Sequence, residues 1–183
     1  MPRVLGPVTN YQPIGALMVV SIIYRAVQEG SGFFQHGHTH LGHATACAAA
    51  LAVQQVIERD GLLQRVDQLG IKLRQALALR FDEHPHVGDI RGRSLFLGLE
   101  FVADRASKKP FPTENRFDQI LKSAAMEQGL ICYPMAGTID GKNGSHVLLA
   151  PPFILSDDQI GEIVGKLALA VDMAVAVAED GRA

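Results

Sequence analysis

Residues 95–102 read Leu-Phe-Leu-Gly-Leu-Glu-Phe-Val, and this stretch decides the fold class. Every second residue from Leu95 to Phe101 is large and apolar, which is the period of a half-buried β-strand. Together with the residues before it, the stretch predicts extended structure from Asp89 to Val102, as one long strand or as a pair of strands. The chain therefore contains a sheet with one buried face.

A helical pattern precedes this extended region. Residues Leu62–Phe81 carry a leucine-rich stripe at helical spacing, and the Ala-rich stretch Ala44–Arg59 predicts another helix, separated from the first by Asp60-Gly61. The stripe predicted to face the core comprises Leu62, Val66, Leu69, Leu73, Leu77 and Phe81.

Helix and strand signals continue after the extended region. Thr113 is predicted to cap a helix that ends at about Gln128, and Leu130–Tyr133 and His146–Ala150 are short strand candidates around a Gly-rich stretch. A capping box at Ser156–Gln159 starts the last helix. From about residue 61 onward we therefore expect a compact α/β or α+β unit. The face of the last helix predicted to be buried comprises Ile160, Ile163, Val164, Leu167, Val171, Ala174, Val175 and Ala178.

The first sixty residues give a different pattern. The Pro- and Gly-bearing residues 1–13 are predicted to be irregular, Ile14–Val20 predicts a strand buried on both faces, and Ser21 is expected to cap a short helix that ends at Glu29. A strand buried on both faces needs neighbouring strands, and residues 1–60 supply none. We therefore expect this sequence to be part of something larger.

Composition excludes several classes of protein. The 183 residues carry 17 Lys and Arg against 19 Asp and Glu, a nearly neutral balance that argues against nucleic acid as the main partner. The longest apolar run, Ile14–Ile23, is shorter than the ~20 residues of a membrane span. Two cysteines far apart in sequence, Cys47 and Cys132, exclude a disulfide framework. These observations predict a soluble cytoplasmic protein that does not bind a membrane.

Four histidines lie close together between the short helix and the Ala-rich helix: His36, His38, His40 and His43. In an extended chain the first three would point to the same side, as ligands of a transition metal do, although no cysteine or carboxylate lies nearby. Alternatively, the backbone N–H groups and the Thr39 hydroxyl ahead of a helix could hold a phosphate. The residues alone leave both hypotheses open.

Four motifs in one order resemble a known family. These are Tyr11-Gln-Pro-Ile-Gly-Ala16, Gly32-Phe-Phe-Gln-His-Gly-His-Thr39, Ile90-Arg-Gly-Arg-Ser-Leu-Phe-Leu-Gly-Leu-Glu100 and His146-Val-Leu-Leu-Ala-Pro-Pro-Phe153. They resemble the class III, pyridoxal-phosphate-dependent aminotransferases, and most of all the branch that transfers amino groups from ω-amino acids and amines to acceptors such as pyruvate. The resemblance covers nearly the whole chain.

The resemblance implies an α/β chain that is the C-terminal part of a fold-type I transferase. It implies a homodimer, or pairing with a longer aminotransferase chain, with active sites at the subunit interface. Residues 1–60 would be the end of the large domain that binds pyridoxal 5′-phosphate, and residues 61–183 the small domain. In the family, the threonine that matches Thr39 holds the phosphate of the partner's cofactor, and His38 lies beside it. Tyr11 and Lys142 are the candidates for substrate contact, with a solvated loop lysine as the alternative for Lys142.

One family residue is missing from this sequence. The family lysine that bonds the cofactor and moves the substrate's proton lies six residues before the aromatic residue that matches Tyr11, and Leu5 stands there. No catalytic residue is therefore assigned. We expect a C-terminal portion of an aminotransferase, from a truncated or mis-started gene, that is inactive alone. A non-catalytic module that pairs with a longer aminotransferase and a histidine-cluster metal protein are the alternatives.

Overall fold

A computed structural model describes residues 3–5 and 14–181, with side chains described from residue 14 onward. The chain forms two compact units, Met1–Leu62 and Leu63–Ala183. Within the described residues, no helix is both long enough and apolar enough to cross a membrane.

The second unit is built on a four-stranded antiparallel sheet with the strand order β3-β4-β6-β5. The predicted extended region is a pair of strands, with Ile90 opposite Leu99, rather than one long strand. The elements of this unit are α3 (Leu62–Phe81, which starts at the unit boundary), β3 (Val87–Arg93), β4 (Phe96–Phe101), a 3-10 helix (Thr113–Asn115), α4 (Phe117–Glu127), β5 (Tyr133–Ala136), β6 (Ser145–Leu149) and α5 (Asp157–Glu179).

One hydrophobic core joins the sheet to the three helices. The predicted stripe of α3 is buried in full, and its Leu73, Leu77 and Phe81 are completely enclosed. The alternation from Leu95 to Phe101 is also confirmed. Val102 does not continue it: this residue is buried, because the chain leaves β4 there and the Val102 N–H bonds to the His86 carbonyl at 2.9 Å.

A close approach positions the β3–β4 turn against α3. A Cβ atom at Gly70, in the middle of α3, would lie 2.4 Å from the backbone of Ser94 in that turn. The Ser94 hydroxyl donates to an Asp67 carboxylate oxygen at 2.6 Å, and Ser94 has a positive φ of 51°. The missing side chain of Gly70 is therefore what lets the hairpin turn sit on the helix.

Two boundaries in the second unit differ from the prediction. Thr113 starts a 3-10 helix and does not cap α4, because Arg116 takes a left-handed conformation, with φ 46°, between the two helices. Strand β5 lies at Tyr133–Ala136, later than the predicted Leu130–Tyr133. Leu130 instead belongs to the turn that follows α4, since its N–H bonds to the Ala125 carbonyl at 2.8 Å.

The last helix starts as predicted. The Ser156 hydroxyl accepts from the Gln159 N–H, and the Gln159 side chain accepts from the Ser156 N–H, which completes the capping box. Ile163 is the one member of the predicted buried face that is only partly buried.

The outer edge of β5 carries a proline. The Gly137 N–H bonds to the Gly144 carbonyl at 2.9 Å. Hydrogen-bonded pairs alternate along an antiparallel ladder, so Met135 and Tyr133 also bond to β6. Pro134 falls at an alternate position, where its nitrogen lies on the outer side of β5. This outer edge therefore lacks an N–H donor at Pro134.

The first unit contains two short strands and two helices. Strand β1 (Arg3–Leu5) pairs antiparallel with β2 (Ala16–Met18), and α1 (Ser21–Glu29) and α2 (Ala44–Arg59) follow. The bounds of α2 and the end of α1 at Glu29 match the prediction. Among residues 14–61, Ala46 is the only buried side chain.

Three predictions for the first unit were wrong. Residues 3–5 form a strand within the segment that was expected to be irregular, and this strand gives β2 the neighbour that residues 1–60 were expected to lack. The strand predicted over Ile14–Val20 shortens to β2, and its Leu17 and Met18 are half exposed rather than buried on both faces. Ser21 is the first residue of α1, not its cap, and Val20 at the cap position offers no side-chain acceptor.

Candidate functional site

The segment between α1 and α2 folds into two successive turns. The Leu41 N–H bonds to the His38 carbonyl at 2.9 Å, and the His43 N–H bonds to the His40 carbonyl at 3.2 Å. Gly42 has a positive φ of 71°, which a residue with a side chain rarely adopts. The sequence thus bends the chain just before α2 begins.

His43 fixes the start of α2. Its Nδ1 atom accepts from the Ala46 N–H at 3.3 Å, so the imidazole takes the place of the usual Ser, Thr, Asp or Asn cap. The ring nitrogen is unprotonated when it accepts this bond. One member of the histidine cluster is therefore a helix cap.

Thr39 lies at the first of the two turns and is exposed. No hydrogen bond joins its hydroxyl to another described residue, so that donor and acceptor is available to a ligand. A cavity of about 620 Å³ adjoins the turn. The residues that line it are Ile14, Gly15, Ala16, His38, His40, Leu41, Gly42, His43, Ala46 and Cys47.

The turns interrupt the row of histidines that an extended chain would form. The rings of His36 and His38 meet edge to face with centroids 4.9 Å apart, whereas His40 and His43 are 6.2 Å apart beyond the turn. Across residues 14–181, no group of three or more His, Cys, Asp or Glu side chains is arranged to hold one metal ion. The extended geometry on which the metal hypothesis depended is absent here.

The other predicted site residues lie elsewhere or outside the description. Lys142 belongs to the second unit, in the loop Gly137–Gly144, where its N–H donates to Asp140 at 2.9 Å. Its side chain is exposed and makes no hydrogen bond or ion pair with a described residue. Tyr11 lies outside the described residues, and of Leu5 the structure describes only the backbone, which pairs with Ala16.

The loop that carries Lys142 is ordered by one carboxylate. Asp140 accepts from the backbone N–H groups of both Lys142 and Asn143 and from the Asn143 side chain. The hydrogen bonds from Asn143, and that from Lys142, hold the pKa of Asp140 below its usual value. Asp140 thus stays ionised and keeps the loop closed.

A polar site on the sheet was not predicted as a site. On the face of the sheet that points away from the core, Arg91 bonds to Glu100 at 2.9 Å and to Asp89 at 2.8 Å. Beside them, Thr138 Oγ1 lies 2.6 Å from His146 Nδ1. Burial, followed by the charge of Arg91, lowers the pKa of His146. These groups border a cavity of about 360 Å³.

A sequence signal for this polar site existed. The outward positions of β4 follow from the alternation that correctly placed its buried ones, and Glu100 occupies one of them, whereas His146 occupies an outward position of β6 for which no alternation was predicted. Their register pairing, Glu100 opposite His146, could not be read from the sequence because it depends on how two distant strands align.

Known proteins are similar to this chain over most of its length. The sequence profile of the family described as Aminotransferase class-III matches residues 8–171. An uncharacterised aminotransferase of Schizosaccharomyces pombe is 42% identical over 167 residues, which is 91% of this chain and 36% of that protein. A diaminobutyrate–2-oxoglutarate transaminase of Halomonas elongata is 31% identical over 170 residues, 91% of this chain and 35% of that protein.

Solved structures agree with the sequence matches. An (S)-enantioselective omega-transaminase from Thermomicrobium roseum superposes with a TM-score of 0.79 at 30% identity, over 92% of this chain and 36% of that one. The chain thus spans about a third of the length of the proteins it matches. Since the profile match and the mixed helix–sheet fold agree over nearly all described residues, this chain belongs to the class III aminotransferase family.

Proposed function

We propose that this chain is part of a pyridoxal 5′-phosphate-dependent aminotransferase that moves an amino group from an amine or ω-amino acid to a 2-oxo acid such as pyruvate. The names of two relatives support the substrate classes. One is called a diaminobutyrate–2-oxoglutarate transaminase and the other an omega-transaminase. When bound, the cofactor supplies an electron sink for the carbanion formed beside the amino group.

Thr39 is the residue that we propose to hold the cofactor's phosphate, with His38 beside it. The observation that carries the proposal is the exposed Thr39 hydroxyl, without a partner among the described residues, in a turn just ahead of the 16-residue helix α2. Backbone N–H groups at a helix start attract an anion, and a hydroxyl adds one directed hydrogen bond. These residues fit the phosphate end of the cofactor.

The covalent end of the cofactor does not fit this chain. Residues 1–62 contain no lysine, and Leu5 stands at the position of the family lysine. All six lysines lie at position 72 or later, so the unit that holds Thr39 contains no lysine amine. We therefore propose that the chain is inactive alone and contributes its Thr39 turn to a site whose lysine comes from another chain.

That other chain is proposed to be a longer aminotransferase. A second copy of this chain in a homodimer is the alternative, but it would receive only the phosphate contact and would bring no lysine. The observation in favour of a partner is the exposed apolar surface of β2 and α1, where Leu17, Ile22 and Tyr24 are more than half exposed. Residues 1–60 are proposed as the remnant of the large domain and 61–183 as the small domain. Tyr11 and Lys142 remain proposed substrate contacts.

Binding of vitamers with and without a phosphate tests the Thr39 proposal. Pyridoxine 5′-phosphate lacks the aldehyde and so does not react with surface lysines. We expect calorimetry to show tighter binding of it than of pyridoxine, with about tenfold loss in Thr39→Ala and recovery in Thr39→Ser. Thr45→Ala removes an exposed threonine in the first turn of α2 and should change nothing. Equal affinity for the two vitamers would refute the phosphate site.

Activity and covalent trapping test the missing lysine. The purified chain with pyridoxal 5′-phosphate, an ω-amino acid and pyruvate should form no alanine. In Leu5→Lys, borohydride reduction should attach the cofactor at position 5, detected by mass spectrometry of peptides. Alanine formation by the unaltered chain would overturn the inactivity proposal.

A further inference from the structure

Strand β3 is an end strand of the four-stranded sheet, so one side of its backbone has no neighbouring strand. In an antiparallel pair, alternate residues direct both backbone groups away from the partner. The turn Ser94–Leu95 closes the hairpin between Arg93 and Phe96, which places Ile90 and Gly92 at the outward positions. Past the irregularity in the register near Gly88, the carbonyl of that residue also faces outward.

Each of these outward carbonyls is bound by a cationic side chain. The Arg74 guanidinium, from α3, donates to the Ile90 carbonyl at 3.0 Å and to the Gly92 carbonyl at 3.3 Å. The Lys108 ammonium, from the loop after β4, donates to the Gly88 carbonyl. Two side chains from different elements therefore cover the whole acceptor row of this edge.

The sequence of β3 would allow the β3 strands of two copies of this chain to pair. If a second β3 were laid antiparallel along the edge with the two Ile90 residues opposite each other, Asp89 would face Arg91 of the other copy, and Gly88 would face Gly92. Opposite charges at paired positions stabilise a sheet, and the glycines bring no side chain to obstruct the approach. In this register every outward residue lies at a hydrogen-bonded position.

We propose that Arg74 and Lys108 form an edge guard that prevents β3 from adding the β3 strand of a second copy of this chain. Their hydrogen bonds occupy the carbonyls that a second strand would use. Two approaching copies would also bring four cations to one seam, and natural sheets use lysine at exposed edges against such pairing. The inference is independent of the proposed function.

Amide hydrogen exchange on the full chain tests the guard. In the double variant Arg74→Ala with Lys108→Ala, we expect the Ile90 and Gly92 amides to exchange about tenfold more slowly at high protein concentration than in the unaltered chain. Dilution should reverse this protection. Adding Ile90→Pro to the double variant removes the central outward donor and should abolish the protection, because an edge strand tolerates proline there.

Two further measurements keep the test decisive. The double variant Lys109→Ala with Lys122→Ala removes two exposed cations that do not contact β3 and should leave exchange unchanged. The amides of Leu99 and Val147 report whether the sheet is folded. If the first variant loses the sheet, Arg74→Lys, which keeps the charge and reaches one carbonyl at a time, should give a smaller protection of the same two amides.

The proposal is overturned if Ile90 and Gly92 exchange at the same rate in the folded guard variants and in the unaltered chain. It is also overturned if the unaltered chain already protects these amides in a concentration-dependent way. Protection of the Gly92 amide that survives the added Ile90→Pro would come from association through another surface and would equally overturn the proposal.

Discussion

The two units of this chain differ in how much of their apolar side chains is buried. In the second unit, the stripe of α3 meets a sheet and two helices, and Leu73, Leu77 and Phe81 are completely buried. In the first unit, Ile22, Phe33 and Leu41 are between 66% and 78% exposed. Apolar side chains thus form a core only where other elements of the chain cover them. The exposed surface of the first unit has the character of an interaction surface.

The largest expected contrast concerns two phenylalanines. Phe81→Ala empties a completely buried position, so it should lower the free energy of unfolding by about 3–5 kcal/mol. Phe33→Ala removes a side chain that is 66% exposed and should change it by less than about 0.5 kcal/mol. Urea unfolding followed by circular dichroism measures both. Similar losses would mean that the first unit has a core of its own.

Glycine substitutions sharpen the contrast in packing. Gly70→Ala forces a methyl group against the Ser94 backbone and should cost about 1–3 kcal/mol, although alanine is the better helix former. At Gly165, in α5, no atom lies within 4 Å of an added Cβ, so Gly165→Ala should stabilise by about 0.5–1 kcal/mol. Gly37→Ala in the first unit also meets no neighbour and should be tolerated. Thermal unfolding compares the three, and a stabilising Gly70→Ala would refute the close approach.

The two cysteines compare the units by chemical reactivity. Burial raises the pKa of the Cys132 thiol to about 11, so at pH 8 it is almost entirely protonated, whereas Cys47 is exposed. Since the thiolate is the nucleophile, iodoacetamide should modify Cys47 at least about tenfold faster than Cys132. The Cys132 rate should keep rising as the pH approaches 11. Mass spectrometry of timed samples measures both rates, and equal rates at pH 8 would contradict the burial of Cys132.

The smallest contrast separates two helix starts that look alike in sequence. Ser156→Ala removes the hydroxyl of the capping box and should cost about 1 kcal/mol. Ser21→Ala changes a first-turn residue that caps nothing and should cost less than about 0.5 kcal/mol. Urea midpoints of the two variants give the comparison. A cost at Ser21 equal to that at Ser156 would show that Ser21 caps α1 after all.

Elements set by local pattern were predictable. The bounds of α2 and α3, the end of α1 and the buried stripe of α3 follow from helical spacing and from the Gly and Asp residues that end the helices. The capping box at Ser156 was predictable for the same reason, because its two hydrogen bonds join residues three positions apart.

Features set by distant contacts were not predictable. The short length and exposure of β2 depend on which strands lie beside it, and the sequence does not state that. The left-handed conformation of Arg116 moves the start of α4 with no glycine to signal it. In the candidate site, Thr39 was proposed from the resemblance, whereas the turns that expose it and the cap formed by His43 required coordinates.

The four-stranded sheet is closed at its two ends by different chemistry. At the outer edge of β5 the obstacle to a further strand is part of the covalent chain, because Pro134 has no N–H to donate. At β3 the closure depends on the charges of Arg74 and Lys108. Dissolved ions screen exposed charges over about 10 Å at 0.1 M and over shorter distances in more concentrated solutions, but they do not alter a proline ring. Added salt should therefore weaken the protection of the β3 edge and leave the β5 edge unchanged. Any salt-induced strand pairing should then occur at β3.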